Sequence, residues 1–262
     1  MPHLIDSHCH LTYEGLVEDL DSVLKRAKAA GVGECITIAT DLDDAQSALA
    51  LAAKHPMIRV AAGIHPHQAG KAPPRWEQTL SEIAARPDVY AVGETGLDYH
   101  YDFAKQETQQ RVFCGQLDIA TAREKPVVIH CREAHRDTLD ILAEFPNISR
   151  IVFHCFTGTL TEAKEILDAG YWISLTGVVT FKKSDELRQV AQLIPADRLM
   201  VETDSPYLSP EPVRSTRPCE PAFVRHTAAC IAAARGISLD ELIAITSANT
   251  RRFFALPPES QA

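Results

Sequence analysis

Residues 127–131 read Val-Val-Ile-His-Cys, and residues 151–155 read Ile-Val-Phe-His-Cys. In both stretches three large apolar residues, typical of a buried parallel strand, are followed by a histidine. The carboxyl ends of the strands of a parallel α/β barrel all open onto one face. Two histidines in the same setting on successive strands favour a shared set of metal ligands over two separate buried histidines.

The rest of the chain repeats this unit of a short apolar strand followed by an amphipathic helical stretch. The pattern predicts eight strands, at 4–6, 35–39, 58–63, 89–93, 127–129, 151–153, 171–175 and 199–202. It predicts helices between them, at 16–30, 42–54, 78–86, 105–124, 134–145, 161–168 and 185–193. Such alternation is typical of a parallel sheet with crossover helices.

Eight strands favour a closed barrel over an open sheet. A doubly wound open sheet is the competing architecture, but the chain lacks a glycine-rich phosphate loop. We therefore predict a single α/β domain, a (β/α)8 TIM barrel, over residues 1–256, with a frayed tail at 257–262. Two extra C-terminal helices are expected at 222–235 and 239–254. The proline-rich segment 205–221 is expected to lie over the barrel mouth.

Charge and cysteine content narrow the class of protein. The net charge of −9 argues against broad, charge-driven wrapping of nucleic acid, although bound cations can hold a few nucleotides. The seven cysteines form no CxxC pair, which is typical of a reducing, cytoplasmic setting. Cys9, Cys131 and Cys155 adjoin candidate ligands, but strand alternation directs them away from the histidines. No secretion signal or membrane span is expected.

Six side chains of the kinds that bind metals follow the predicted strands. They are His8, His10, Glu94, His130, His154 and Asp204. His8 and His10 are two residues apart in extended chain, so both rings can bind one ion. Glu94 can span two cations with its two oxygens, although a loop carboxylate that caps a helix is the plainer interpretation.

Asp204 can both bind a cation and accept the proton of an activated water, so Asp204 and Glu94 are the predicted catalytic residues. Glu202 lies two residues earlier and is either an accessory acid or purely structural. At the rim we predict that His65, Tyr99 and Arg132 contact substrate. Five further rim residues could also contact substrate, but we expect them to belong to an ordinary solvated surface. They are His67, Lys182, Lys183, Arg214 and Arg217.

Together with their neighbours in the sequence, these residues make the chain resemble the TatD family of metal-dependent hydrolases. The motifs that carry the resemblance are Asp-Ser-His-Cys-His at 6–10, Gly-Ile-His-Pro-His at 63–67, Gly-Glu-Thr-Gly-Leu-Asp at 93–98, Val-Ile-His-Cys-Arg at 128–132, Phe-His-Cys-Phe-Thr-Gly at 153–158 and Val-Glu-Thr-Asp-Ser-Pro-Tyr-Leu at 201–208. The resemblance implies two metal ions, with His8, His10 and Asp204 on one, His130 and His154 on the other, and Glu94 between them.

The resemblance also implies a Mg²⁺- or Mn²⁺-dependent deoxyribonuclease, of a kind that is often a 3′-to-5′ exonuclease linked to DNA repair. By ligand softness four histidines suit Zn²⁺ or Mn²⁺ better than Mg²⁺, so the metal stays open. The predicted substrate is single-stranded DNA or a DNA end, with neither a membrane nor an obligatory protein partner.

Two alternatives stay open on the sequence alone. Because barrel loops choose the substrate, the same site can hydrolyse an ester or amide, for instance as a D-aminoacyl-tRNA deacylase. A metal-bound scaffold without turnover is the third interpretation. The complete set of six ligands speaks against the scaffold.

Overall fold

Eight parallel strands lie side by side in the order of the sequence in the computed structural model, which describes residues 3–257. Their bounds are β1 Leu4–Cys9, β2 Val32–Ile38, β3 Ile58–Ala62, β4 Val89–Asp98, β5 Val127–Arg132, β6 Ile151–Phe153, β7 Trp172–Leu175 and β8 Leu199–Val201. All eight predicted strands are present, and the α/β barrel is confirmed. The main differences are that β1, β4 and β5 continue past their predicted ends through the candidate ligands.

Helices connect successive strands and cover the outside of the barrel. Their bounds are α1 Glu14–Val17, α2 Leu20–Ala29, α3 Leu42–Ala52, α4 Trp76–Ala84, α5 Gln106–Ala122, α6 His135–Ala143, α7 Leu160–Asp168, α8 Asp185–Leu193, α9 Val224–Arg235 and α10 Leu239–Phe254. The single helix predicted at 16–30 is wrong, because Asp19 leaves the helical region (φ −121°, ψ 29°) and separates α1 from α2. Short 3-10 turns lie at Pro66–Lys71, Gly177–Thr180 and Pro221–Phe223.

The barrel interior is filled by a cluster of its own, separate from the larger core between strands and helices. Each strand contributes to it, for instance Ile5 of β1, Val128 of β5 and Met200 of β8. Phe253 and Phe254, at the end of α10, belong to the same cluster and are buried. The predicted C-terminal helices are confirmed, and α10 has a structural role in packing aromatic rings against the barrel interior.

The barrel closes between β1 and β8, which come from opposite ends of the chain. At the mouth the backbone amide of Asp204 donates to the carbonyl of His8 over 3.0 Å, and the amide of His10 donates to the carbonyl of Ser205 over 2.7 Å. Deeper in the barrel, the fully buried carboxylate of Asp6 accepts from the hydroxyl of Thr203 at 2.6 Å and from its amide at 2.9 Å. Closure therefore depends on buried side chains as well as on backbone pairing, since Ser7 Oγ also donates to the carbonyl of Val201 over 3.0 Å.

Strand β4 extends four residues past Glu94 because glycines let it lie close to β5. A Cβ added to Gly93 would lie 2.7 Å from the carbonyl oxygen of Val128, and one added to Gly96 would collide with the carbonyl of His130. Both glycines have positive φ, at 148° and 135°. Larger residues would push β4 away from β5 and displace Glu94.

Two predicted segments lie outside the strands and helices, namely the C-terminal tail and the long loop after β8. Apart from Pro257, the tail predicted at 257–262 lies outside the described residues. The segment 205–220 forms no helix or strand beyond one bridge between Ser205 and Cys9, as predicted for a loop at the mouth. Within residues 3–257 no helix combines the length and hydrophobicity needed to cross a membrane.

We predict that Thr203→Val destabilises the protein by about 1–3 kcal/mol, because it leaves the buried carboxylate of Asp6 without its hydroxyl donor. The measurement is the free energy of unfolding from urea titration. Thr227→Val is the matched control, since the Thr227 hydroxyl is buried in α9 without a hydrogen-bond partner. Equal stability of the two variants would contradict the role given to the Asp6–Thr203 pair.

Candidate metal centre

The β1 and β8 ligands meet at the barrel mouth. His8 and His10 have their Nε2 atoms 3.3 Å apart, and Asp204 Oδ1 lies 3.8 Å from His8 Nε2 and 3.4 Å from His10 Nε2. Asp204 follows β8 with φ 58°, a left-handed conformation that aspartate tolerates better than most residues. The backbone turn after β8 thus brings the Asp204 carboxylate back toward β1.

The Glu94 carboxylate lies between two groups of imidazoles. Its Oε2 is 3.3 Å from His8 Nε2 and 3.7 Å from His10 Nε2. Its Oε1 is 2.8 Å from His130 Nδ1 and 2.7 Å from His154 Nε2. Each oxygen of Glu94 therefore faces a different pair of histidines. The plainer interpretation of Glu94 as a helix cap does not fit, because Glu94 lies inside β4 and is 2% exposed.

Several sets of three side chains have ligand atoms close enough to bind one ion. They are His8, His10 and Asp204; Glu94, His130 and His154; His8, His154 and Glu202; and His65, His67 and His130. The first two sets contain all six predicted ligands. The structure thus brings together residues that are almost 200 positions apart in the sequence.

The chemistry of the donors fits divalent cations, because the outer ring nitrogens of His10 and His130 have partners behind them. His10 Nδ1 donates to the carbonyl of Ile38 over 2.9 Å, and His130 Nε2 lies 2.9 Å from Asp98 Oδ2. His154 Nδ1 lies 3.3 Å from Glu202 Oε1. Such outer partners fix the tautomer and orientation of a metal-binding imidazole. In each ring the nitrogen that faces Glu94 or Asp204 is left to bind a cation.

Asp98 is the main residue of the site that the sequence analysis did not single out. It is fully buried, and its Oδ2 lies 2.9 Å from His130 Nε2 and 2.8 Å from His67 Nε2. Its Oδ1 accepts from the backbone amides of His100 and Tyr101, both over 3.0 Å. Glu94 and Asp98 are four residues apart on one strand, and this even spacing puts them on the same face. That signal was available in the sequence.

Glu202, for which the sequence left two interpretations, is buried behind His154. Its Oε1 accepts from the amide of Cys155 over 2.6 Å, and its Oε2 accepts from the hydroxyl of Ser7 over 3.4 Å. With His154 Nδ1 3.3 Å away, the side chain orients that imidazole from the side opposite Glu94. These contacts favour the accessory interpretation of Glu202 over the purely structural one.

The charges of the cluster are strongly coupled. Burial alone would raise the pKa of Glu94, but neighbouring His154 and His65, with hydrogen bonds from His130 and His154, hold it well below its ordinary value. Burial would lower the pKa of His10, but its hydrogen bond with Asp204 and the charges of Glu94 and Asp204 raise it to about 9. The pKa values of His130 and His154 are raised in the same way. Protons thus occupy the metal-free cluster at neutral pH.

Among the predicted substrate contacts, His65 lies against the cluster. Its Nε2 is 3.3 Å from Glu94 Oε1, and its Nδ1 accepts from the amide of His67 over 3.0 Å. That acceptance puts the proton of the neutral ring on Nε2. Burial lowers the pKa of His65 to about 4, so the ring is a neutral donor at physiological pH.

The other rim predictions have mixed outcomes. The Tyr99 hydroxyl donates to Asp137 over 2.8 Å and accepts from Gln110, so the structure does not bring it to the cluster. The Arg132 guanidinium lies over the ring of Tyr101, 4.9 Å from its centroid. In the long loop, Arg214 lies over Phe181, 3.2 Å from the ring centroid.

The cysteines beside the ligands have partners away from the cluster. Cys9 Sγ donates to the carbonyl of Ile36 over 3.4 Å, and Cys131 Sγ accepts from the hydroxyl of Thr138 in α6 over 3.5 Å. Cys155 Sγ lies 3.6 Å from the Thr176 hydroxyl. Among residues 3–257, no group of potential metal ligands includes a cysteine.

An α/β barrel that gathers imidazoles and carboxylates at the carboxyl ends of its strands defines a class of enzyme, the metal-dependent hydrolases. Comparison with known proteins identifies the family. The chain belongs to the TatD family, since the family model described as TatD related DNase matches residues 5–255.

Similar proteins agree with this assignment. The uncharacterized metal-dependent hydrolase YcfH of Escherichia coli K12 is 40% identical over 256 residues, which cover 96% of this chain and 95% of that protein. The 3′-5′ ssDNA/RNA exonuclease TatD of Erwinia tasmaniensis is 39% identical over 259 residues, covering 97% and 100%. The crystal structure of YjjV, a TatD homologue from Escherichia coli K12, has a TM-score of 0.92 at 30% identity and covers 97% and 98%.

We predict that Asp98→Asn lowers the affinity for divalent cations about 10- to 100-fold. The amide can donate to His130 Nε2, which moves the ring proton to Nδ1, the nitrogen that faces Glu94. Isothermal titration calorimetry measures the affinity, and ¹⁵N NMR reports the tautomer of His130. Asp88→Asn is the matched control, because Asp88 is exposed and precedes the same strand at its other end. Unchanged affinity in Asp98→Asn would refute this role.

We also predict that cation binding at pH 7 releases at least about one proton and strengthens as the pH rises toward 9. Ligation requires neutral imidazoles, whereas His10, with its pKa near 9, holds a proton in the metal-free protein. Calorimetry in buffers of different ionisation enthalpy counts the protons. A binding enthalpy that does not depend on the buffer would contradict the protonated cluster.

Proposed function

We propose that this TatD-family hydrolase removes nucleotides from the 3′ end of single-stranded DNA and uses two divalent ions. The observation that carries the proposal is the position of Glu94, whose two oxygens face two different sets of ligands. One cation needs only one such set. A carboxylate that spans both sets lowers the cost of placing two cations a few ångströms apart.

Each proposed ion has its own ligands. His8, His10 and Asp204 would hold one ion, and His130 and His154 would hold the other, with Glu94 placed between the two sets. Mg²⁺ or Mn²⁺ is the proposed metal in function, and Zn²⁺ also suits the imidazoles. Four of the six ligands are imidazoles, so Mn²⁺ fits the mixed donor set better than Mg²⁺.

The chemistry that divalent cations would supply when bound is a polarised phosphoryl group and a water whose pKa, ~15.7 when free, would fall toward ~7. Asp204 then accepts the proton of the attacking water. Burial alone would raise the pKa of Asp204, but the hydrogen bond from His10 and the charges of His8 and His154 keep it lowered, so its carboxylate is ionised. His65 donates its Nε2 proton to a non-bridging phosphoryl oxygen, and Arg132 contacts the next phosphate.

The proposed reaction is the hydrolysis of one phosphodiester bond. The water oxygen bonds to phosphorus, and the bond from phosphorus to the 3′ oxygen of the preceding nucleotide breaks. The 3′ oxygen of the shortened strand takes up the proton that Asp204 accepted and becomes a 3′-hydroxyl, and the last nucleotide leaves as a 5′-monophosphate. The 3′-to-5′ direction is supported by relatives named as 3′-5′ ssDNA/RNA exonucleases. The seven free cysteines suit a reducing cytoplasm, where such an activity would serve DNA repair.

We expect a chelator to abolish degradation of a 5′-labelled single strand and added Mg²⁺ or Mn²⁺ to restore it. Asp204→Asn should reduce kcat at least about 100-fold, because the amide cannot accept the proton. Asp197→Asn, an exposed aspartate before the same strand, is the matched control and should stay active. Product sizes on a sequencing gel report the direction of digestion.

The same preparation is offered D-aminoacyl-tRNA as a competing ester substrate. A kcat/KM for the ester that exceeds the value for single-stranded DNA would replace the proposed function with deacylation. Activity that is indifferent to the chelator would reject both reactions at this site.

A further inference from the structure

The large apolar side chains that are exposed at the protein surface gather at the barrel mouth. Within residues 3–257 they are Tyr13, Val17, Tyr101, Phe103 and Tyr207, with exposed fractions between 36% and 63%. All five lie in segments that follow β1, β4 or β8 at the carboxyl ends of the strands. Single exposed apolar residues are common on any protein, but their confinement to one face indicates a binding surface.

Four of these residues are aromatic and form two pairs. Tyr13 and Tyr207 have ring centroids 6.0 Å apart, and we call this pair the first platform. Tyr101 and Phe103 have centroids 5.6 Å apart, and the guanidinium of Arg132 lies 4.9 Å from the Tyr101 ring. These three residues are the second platform.

Each platform touches one half of the metal centre. In the first, the Tyr207 ring lies 6.4 Å from the ring of His10. In the second, Tyr101 and Phe103 lie 5.4 Å and 4.6 Å from His67, which shares the Asp98 carboxylate with His130. The two platforms are therefore continuous with the cluster of ligands.

The strand order sets the platforms on opposite sides of the barrel mouth. Strands β1 and β8 are neighbours through the bridge between Cys9 and Ser205, whereas β4 and β5 lie halfway round the barrel. A phosphodiester held at the centre has one nucleoside on each side of it. An aromatic surface therefore lies on each side on which a nucleoside must lie.

We propose that the two platforms are base-stacking subsites for the two nucleobases that flank the hydrolysed phosphodiester of a DNA single strand. This inference rests on the proposed function and adds the recognition of the substrate. Aromatic rings stack on any base, and an arginine over a ring adds a cation that reaches phosphate. Bases that are paired and stacked in a duplex are not free to lie on either platform, so the arrangement selects single strands.

The test uses two double variants, Tyr13→Leu/Tyr207→Leu and Tyr101→Leu/Phe103→Leu. Each should raise the KM for a ten-nucleotide DNA strand about tenfold, since losing one stacked base weakens binding roughly 5- to 150-fold. Hydrolysis of a fully abasic strand of the same length, which has no ring to stack, should stay within about twofold. Tyr101→Phe and Tyr207→Phe keep the aromatic ring and should behave as the unmodified protein. Val17→Ala is the control for the loss of exposed apolar surface outside the two platforms.

Abasic residues assign each platform to a nucleotide. Removal of the base at the last or the next-to-last position should raise the KM of the unmodified protein about tenfold. In one double variant the last base should no longer matter, and in the other the next-to-last. An abasic penalty that stays full in both variants would overturn the proposal.

Binding separates failure of this inference from failure of the proposed function. A strand with 2-aminopurine at its 3′ end, joined through a non-hydrolysable phosphonate linkage, is titrated with the metal-loaded protein, so turnover plays no part. Quenching that is lost in one Leu double variant supports stacking even if no strand is degraded. Quenching and affinity equal to those of the unmodified protein in both variants would overturn the platforms, even if the exonuclease activity is demonstrated.

Discussion

The site depends on closure of the barrel between its first and last strands. His8 and His10 lie on β1 and Asp204 follows β8, so the ligands of one proposed ion meet only when the two ends of the chain are joined. The seam holds few backbone hydrogen bonds, and the buried Asp6 carboxylate supplements them from β1 by binding Thr203.

The candidate metal-binding imidazoles are oriented by groups that lie behind them. Asp98 and Glu202 contact the far sides of His130 and His154, and the carbonyl of Ile38 accepts from His10. These groups decide which ring nitrogen faces inward before any cation binds. Because backbone amides also donate to Asp98, its carboxylate is fixed in place. Because its neighbours are fixed in this way, the Glu94 carboxylate, which faces both sets of candidate ligands, is held in one orientation.

Much of this arrangement follows from local sequence patterns. Apolar runs predict all eight strands, and polar residues that follow the runs of β1, β4, β5, β6 and β8 are the candidate ligands, because strand ends converge whatever the loops do. Asp98 escapes that rule, since β4 continues past Glu94 only because Gly93 and Gly96 permit close approach to β5. The break at Asp19 and the direction of the Tyr99 hydroxyl, which donates to Asp137 of α6, depend on tertiary contacts that no short pattern contains.

The negative net charge of the protein and its exposed aromatic rings both bear on how it could bind a nucleic acid. A chain of net charge −9 gains little from long-range attraction to a polyanion, and bound cations at the centre of the mouth can attract only the nearest phosphates. Under the proposed function, contact with the bases would then be a further source of affinity, and rings such as Tyr101, Phe103 and Tyr207 would provide it without added charge. Stacking is indifferent to sequence, as an enzyme that shortens any strand requires. It also needs unstacked bases, so on this proposal the recognition of single strands follows from the way the strand is held.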